Sequence, residues 1–203
     1  MSQPTIDYYF APQSPWTYLG HLRFWDIARK AGAKINVRPV DLGGKVFPVS
    51  GGLPLAKRAP QRQAYRLLEL QRFAEWLHVP INLQPKFFPV AGDDAAKLII
   101  AVDLRLGSDA AMAFTDTVLR GVWQQERNIA DEAVLAQMLA ERELPAALLE
   151  DAHSQAVHER YELDSQQAVD AGVFGAPSYV LDGEIFWGQD RLDFLERALA
   201  ARR

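Results

Sequence analysis

The chain contains no cysteine in 203 residues. That excludes disulfides, thiolate metal sites and any redox cycle carried by the protein's own sulfur, so a thiol can take part only if a ligand brings it. Histidine is scarce as well. The four present, His21, His78, His153 and His158, show no ligand spacing such as a helical i, i+4 pair beside a glutamate, so each is read as a structural or surface residue and no metal is expected. Positive charge is not in excess: 22 Lys and Arg against 26 Asp and Glu leave a net charge of -4, with the basic residues scattered. Nucleic acid is an unsuitable partner for such a surface. No apolar run reaches the ~18 residues of a spanning helix, and Met1-Ser2-Gln3-Pro4 is not a basic start followed by an apolar core. A cytoplasmic protein with no membrane contact is the expectation. No internal repeat is visible, and 49% hydrophobic with 24% charged residues suffices for one good core or two small ones.

What is present begins at the amino end. Thr5-Ile6-Asp7-Tyr8-Tyr9-Phe10 puts Ile6, Tyr8 and Phe10 on one side of a strand, the period of a half-buried element. After the turn Ala11-Pro12-Gln13, Ser14 suits a helix N-cap and Pro15 the first helical position, where no N–H is needed. The helix is expected to reach about Ala31, with Tyr18, Leu19, Leu22 and Trp25 at helical spacing and Gly32 as its stop. A second strand, Ile35 to Val37, ends at Pro39. The result is a β-α-β unit with a hydroxyl at the helix mouth.

The carboxyl end carries Ser178-Tyr179-Val180-Leu181 and Glu184-Ile185-Phe186-Trp187 around Asp182-Gly183, a type I′ hairpin signal. A last helix follows, entered through Gly188-Gln189-Asp190 and buried along Leu192, Leu195, Ala198 and Leu199. Between the two ends the pattern is helical throughout. Helices are expected from Gln61 to Leu77, Ala95 to Leu106, Ser108 to Trp123 and Asp131 to Arg142, with a helical tract from Pro145 to Gly172. Gly43 to Pro60, richer in Gly and Pro, is expected to be a loop.

This order is that of an α/β thioredoxin-like domain, residues 1–47 with 173–203, interrupted by a large all-α insertion, residues 48–172. The motif Tyr9-Phe10-Ala11-Pro12-Gln13-Ser14-Pro15-Trp16-Thr17-Tyr18-Leu19, with Val173-Phe174-Gly175-Ala176-Pro177 and Trp187-Gly188-Gln189-Asp190-Arg191, resembles the 2-hydroxychromene-2-carboxylate isomerases and the kappa-class glutathione transferases. Both are glutathione-dependent relatives of the DsbA-type oxidoreductases. The resemblance extends through Arg38-Pro39-Val40-Asp41-Leu42-Gly43-Gly44 and Leu70-Gln71-Arg72-Phe73-Ala74 to nearly the whole chain.

The resemblance implies glutathione as cofactor, a small aromatic acid as substrate and a homodimer. It places Ser14 where the oxidoreductases carry their attacking cysteine. There Ser14 would donate a hydrogen bond to the glutathione sulfur, because no base accompanies it as a serine nucleophile would require. Lowering a thiol pKa of about 8.5 by two units takes roughly 2.7 kcal/mol, which a helix amino end and one hydroxyl donor can supply. The plainer role for Ser14 is an N-cap alone. Ala176 and Pro177 match the cis-proline element, in which the backbone of Ala176 pairs with the cysteinyl part of the tripeptide; an ordinary trans proline is the alternative. Gln189 and Asp190 match the segment that holds the γ-glutamyl group, Asp190 otherwise serving as a helix cap, and Arg191 either reaches a substrate acid or pairs on the surface.

Two positions depart from the family pattern: Ser50-Gly51-Gly52-Leu53 and Ala91 each lack an asparagine that relatives carry. Lys45, Lys57 and Arg58 are candidates for a glycyl or substrate carboxylate, and Trp16, Phe47, Phe87, Phe88 and Trp187 for an aromatic wall, with solvated and core roles as alternatives. The function implied is isomerisation of an aromatic keto acid through the thiolate of glutathione. A kappa-like transferase and a non-catalytic thiol-peptide binding module are the other readings.

Overall fold

The computed structural model describes residues 3–202. Strand β1 (Thr5–Phe10) passes through a tight turn into helix α1 (Pro15–Ala31), and β2 (Lys34–Pro39) returns parallel to β1 with Tyr8 opposite Val37. Helix α1 starts where Ser14 Oγ accepts the Thr17 N–H at 3.2 Å. It stops at Gly32, whose φ of 64° turns its N–H back onto the Ala28 and Arg29 carbonyls.

The expected loop is more ordered than its composition suggests. A π-helical turn at Leu42–Val46 forms because the Asp41 carboxylate accepts the Gly44 N–H at 2.7 Å. It is followed by α2 (Phe47–Ser50) and a 3-10 turn at Leu55–Lys57. Then come α3 (Pro60–Leu77), α4 (Asp93–Leu106), α5 (Ser108–Trp123) and α6 (Glu132–Glu141). The tract expected beyond Pro145 divides into α7 (Leu148–Ala152) and α8 (Gln155–Asp170), because Ser154 turns extended and its Oγ caps the Val157 N–H at 3.4 Å. The chain closes with β3 (Ser178–Leu181), β4 (Glu184–Trp187), a 3-10 turn at Gln189–Arg191 and α9 (Leu192–Ala200). Asp182 and Gly183 both have positive φ, 51° and 83°, as a type I′ hairpin requires.

The strands lie in the order β2-β1-β3-β4, with β3 antiparallel to both β1 and β4. β1 is buried along one face and, at Tyr9, on the other as well. Ile6, Tyr8 and Phe10 join a large apolar cluster that runs through α1, α4 and α5, while Tyr9 packs on the other face with Val40, Val46, Ala168 and Val180. The half-buried expectation for β1 therefore fails at Tyr9, since α8 and the π-helical turn cover the face a two-layer domain would leave wet. Leu22 departs too: it is 57% exposed, and α1 buries His21, Phe24 and Ile27 instead.

Ionic contacts hold α8 against the sheet. Arg38 of β2 donates to Asp7 at 2.7 Å, to Gln167 at 2.7 Å and to the fully buried Asp164, which also receives Arg160 at 2.7 Å. Burial raises the Asp164 pKa despite these two guanidiniums, so Asp164 specifies where α8 docks more than it stabilises it. On the opposite face His21 is buried between the Tyr8 hydroxyl, 3.1 Å from Nδ1, and the Met112 carbonyl, 3.0 Å from Nε2. A carbonyl only accepts, so Nε2 carries the proton and Nδ1 accepts from Tyr8, a neutral ring satisfied at both ends.

Burial lowers the His21 pKa to about 4, against 6.5 for an ordinary histidine. Below pH 6.5 the unfolded chain takes up a proton that the folded one refuses, so stability falls as pH drops toward 4, by up to about 3 kcal/mol from this residue. Denaturant titrations from pH 7 to 4 should show that loss in the native protein and a flatter profile in His21→Gln; parallel profiles would remove His21 as its source.

Candidate active site

A cavity of about 520 Å³ opens where the first turn of α1, the exposed end of α3 and the segment after β4 converge. That volume lies in the range of small-ligand sites. Trp16, on the turn that Ser14 caps, forms one side and meets Phe73 of α3 edge-on, ring centroids 6.0 Å apart.

A second wall comes from the carboxyl end. Ala176 lines it, together with Gly188, Gln189, Asp190 and Arg191. The Ala176–Pro177 peptide is cis, and the Pro177 carbonyl accepts the Gly188 N–H at 2.8 Å, which ties these two segments side by side. No hydrogen bond among the described residues engages the backbone N–H or C=O of Ala176. Gln189 is buried, and neither end of its amide has a partner. Unsatisfied buried amides are rare in folded proteins, so this one marks a place where a ligand can complete the bonding. Asp190 pairs with Arg191.

The third wall is cationic and was not anticipated in full. Arg58, Arg62 and Arg66 all line the cavity, with Tyr65 between them. Burial, then the neighbouring Arg58, lowers the Arg66 pKa to about 10, and burial followed by Arg62 lowers that of Arg58. These groups remain charged at neutral pH. A signal existed in the sequence: Arg62 and Arg66 share a helix face by their i, i+4 spacing, and Arg66 heads the buried row continued by Leu70 and Ala74. A charge on an apolar row is what a pattern of hydrophobic positions passes over.

Of the residues expected from sequence, Ala176, Gln189, Asp190 and Arg191 meet at this cavity, as do Arg58, Trp16 and Trp187. Ser14 and Pro177 are not lining residues, Ser14 standing two positions before Trp16. Lys45 is paired with Glu162 at 2.9 Å, away from the cavity, and Lys57 does not line it. Phe47 packs over Gly52 and Phe87 lies against Lys86, so neither belongs to the wall. Phe88 packs against Trp123 with the rings tilted at 49°, beneath Arg66. Near the missing asparagine at Ala91, the Gln13 side chain lies over Gly92 with its Oε1 buried and unpartnered. His21 is the buried structural residue described above, while His78, His153 and His158 are exposed. No helix among the described residues is long and apolar enough to cross a membrane.

A sheet in the order β2-β1-β3-β4, one helix mouth at the end of its central strand and a helical section between β2 and β3 define a thioredoxin-like α/β protein. The DSBA-like thioredoxin domain matches residues 5–200, and the chain belongs to that family. A 2-hydroxychromene-2-carboxylate isomerase of Sphingobium xenophagum is 33% identical over 196 residues, 96% of this chain and 97% of the relative. The structure of a 2-hydroxychromene-2-carboxylate isomerase superposes with a TM-score of 0.81 at 25% identity, covering 97% of this chain and 95% of the other. The cytosolic disulfide reductase DsbM of Pseudomonas aeruginosa, solved with GSH, shares the fold at a TM-score of 0.67 and 18% identity, over 97% and 99% of the two chains.

The second wall depends on one close approach. A Cβ at Gly20 of α1 would stand 2.7 Å from Gln189 Cβ and 3.1 Å from the buried Tyr179 hydroxyl. Gly20→Ala should therefore push the Gln189 turn off α1 and cost about 1–3 kcal/mol, the usual penalty for overpacking. A thermal melt and a crystal structure of the variant check this, and an unshifted Gln189 would contradict it.

Proposed function

We propose that this chain is a glutathione-dependent isomerase of an aromatic keto acid, converting 2-hydroxychromene-2-carboxylate to trans-o-hydroxybenzylidenepyruvate in aromatic catabolism. One observation carries the reading. A chain with no thiol of its own has, in two residues that line one cavity beside a helix amino end, an unengaged peptide group at Ala176 and a buried, unpartnered amide at Gln189. The 33% identical isomerase relative supports the substrate class.

These groups fit glutathione. The Ala176 N–H and C=O would pair with its cysteinyl residue, next to Pro177, as an added strand pairs with an edge. The Gln189 amide and the N–H groups opening the closing helix would take the γ-glutamyl carboxylate, and Asp190, shared with Arg191, its ammonium. When bound, glutathione supplies the thiolate that frees the conjugated double bond of the substrate to rotate, and it is released unchanged.

The chain's part is to keep that sulfur ionised and the ring in place. Ser14 Oγ already accepts from the Thr17 N–H, which leaves its hydroxyl proton free to donate to an anion. The Trp16 N–H, which makes no hydrogen bond among the described residues, and the amino end of the α1 dipole add partial positive charge. Trp16 and Trp187 offer apolar surface to an aromatic ring, Trp187 being 48% exposed and braced by Phe174 at 4.8 Å between centroids. The reading extends to a homodimer, as the family resemblance implies, and to a cytoplasmic address.

Purified protein given 2-hydroxychromene-2-carboxylate should bring it to equilibrium with the open-chain isomer only when glutathione is present, and should form no lasting conjugate with 1-chloro-2,4-dinitrobenzene. Turnover without glutathione, or accumulating conjugate, would reject the isomerase assignment. In Ser14→Ala the rate should fall roughly 10²-fold, as for loss of one oxyanion-type donor, with the fold losing only about 1 kcal/mol of capping. Thiolate absorbance against pH would then move toward that of glutathione in buffer; an unmoved titration would dismiss Ser14 as the donor.

A further inference from the structure

Among the described residues Arg66 is a buried charge with no ionic partner. It is 8% exposed, its Nη2 is closed off from solvent without a partner, and no hydrogen bond or ion pair reaches its guanidinium among the described residues. Glu69 lines the same cavity and makes no ion pair with it. The guanidinium carbon lies 5.2 Å from the ring centre of Phe88 and 5.8 Å from that of Trp123, contacts that hold a cation without neutralising it. Arg58 and Arg62, on the same wall, add like charge. Among the described residues the other buried charge, Asp164, is paired with two arginines. An arginine left buried and unpaired at a cavity is a receptor for an anion, and its planar fork suits a carboxylate.

We infer that Arg66, assisted by Arg58 and Arg62, binds the carboxylate of the aromatic keto acid, so that this wall selects an acid over a neutral aryl compound. This rests on the isomerase reading. The peptide-like contacts come from a different segment, Ala176 and Gln189–Asp190, which leaves the arginine wall for the second reactant. The glycyl carboxylate of glutathione carries the same chemistry, and the test separates the two.

The probes are 2-naphthoate and 2-naphthamide, inert bicyclic rings differing in charge, titrated calorimetrically into the whole protein at saturating glutathione. The native protein should prefer the acid by at least about tenfold, and Arg66→Met should abolish that preference. The keto acid KM should rise at least about tenfold with kcat nearly unchanged, the signature of lost uniform binding. Glutathione affinity should stay within about twofold and the melting temperature should not fall, because an unpaired buried cation has been removed. Should Arg66→Met not fold, Arg66→Lys, which keeps charge but not the fork, should still reduce the acid preference by about threefold or more. A preserved preference in either folded variant overturns the proposal, and weakened glutathione binding in its place assigns Arg66 to the tripeptide and overturns it too. Since these titrations need no turnover, a native protein that prefers the acid but does not isomerise would sink the isomerase reading alone.

Discussion

The central strand must be covered on two sides at once, and most of the architecture follows from that demand. Residues of β1 alternate between a large apolar cluster and a small one, with Tyr8 on the first and Tyr9 on the second. The first side is closed by α1 together with α4 and α5, mainly through apolar rows, with His21 bridging Tyr8 and the Met112 carbonyl among them. The second is closed by α8, which lacks so broad an apolar face and docks through Asp164 and Arg38. Because β1 is fixed from both sides, the turn at its end is fixed as well, and with it the direction in which α1 starts.

Polar groups inside the protein divide into two kinds. His21, Thr115, Asp164, Ser165 and Ser178 are buried and hydrogen-bonded. Thr17, Arg66, Trp123, Tyr179 and Gln189 are buried with side-chain polar atoms unpartnered, and of these Arg66 and Gln189 line the cavity. Each unpartnered group costs stability where it lies, and at Arg66 and Gln189 that cost falls on the wall of a cavity. The two at the cavity, together with its size, support the reading of it as a working site.

The elements legible in the sequence are those decided by near neighbours. Ser14-Pro15 and Gly32 mark the ends of α1 because capping is settled within one helical turn, and Asp182-Gly183 marks its hairpin because only certain residues take positive φ at both positions. The break before Ser154 was equally local but was obscured by helix-favouring residues on both sides. Burial is a different matter. Tyr9 is inside because Ala168 and Val180, far away in the chain, close over it, and Leu22 is outside because no element packs there. At the site, family resemblance directed attention to Ala176 and Gln189–Arg191, which do line the cavity. For Arg66 the spacing to Leu70 and Ala74 is legible, but the partner it lacks is a property of the folded site.

The sheet order has a consequence for synthesis. β3 is the neighbour of β1 on its open side, yet it is made after the whole helical section, and the wall bearing Ala176 and Gln189 is made with it. A nascent chain still attached to the ribosome therefore presents β1 with an unpaired edge, the kind of surface that invites chaperones or aggregation. Arrival of the terminal hairpin seals that edge and completes the pocket in a single event, so a polypeptide truncated before it would be sticky as well as inactive.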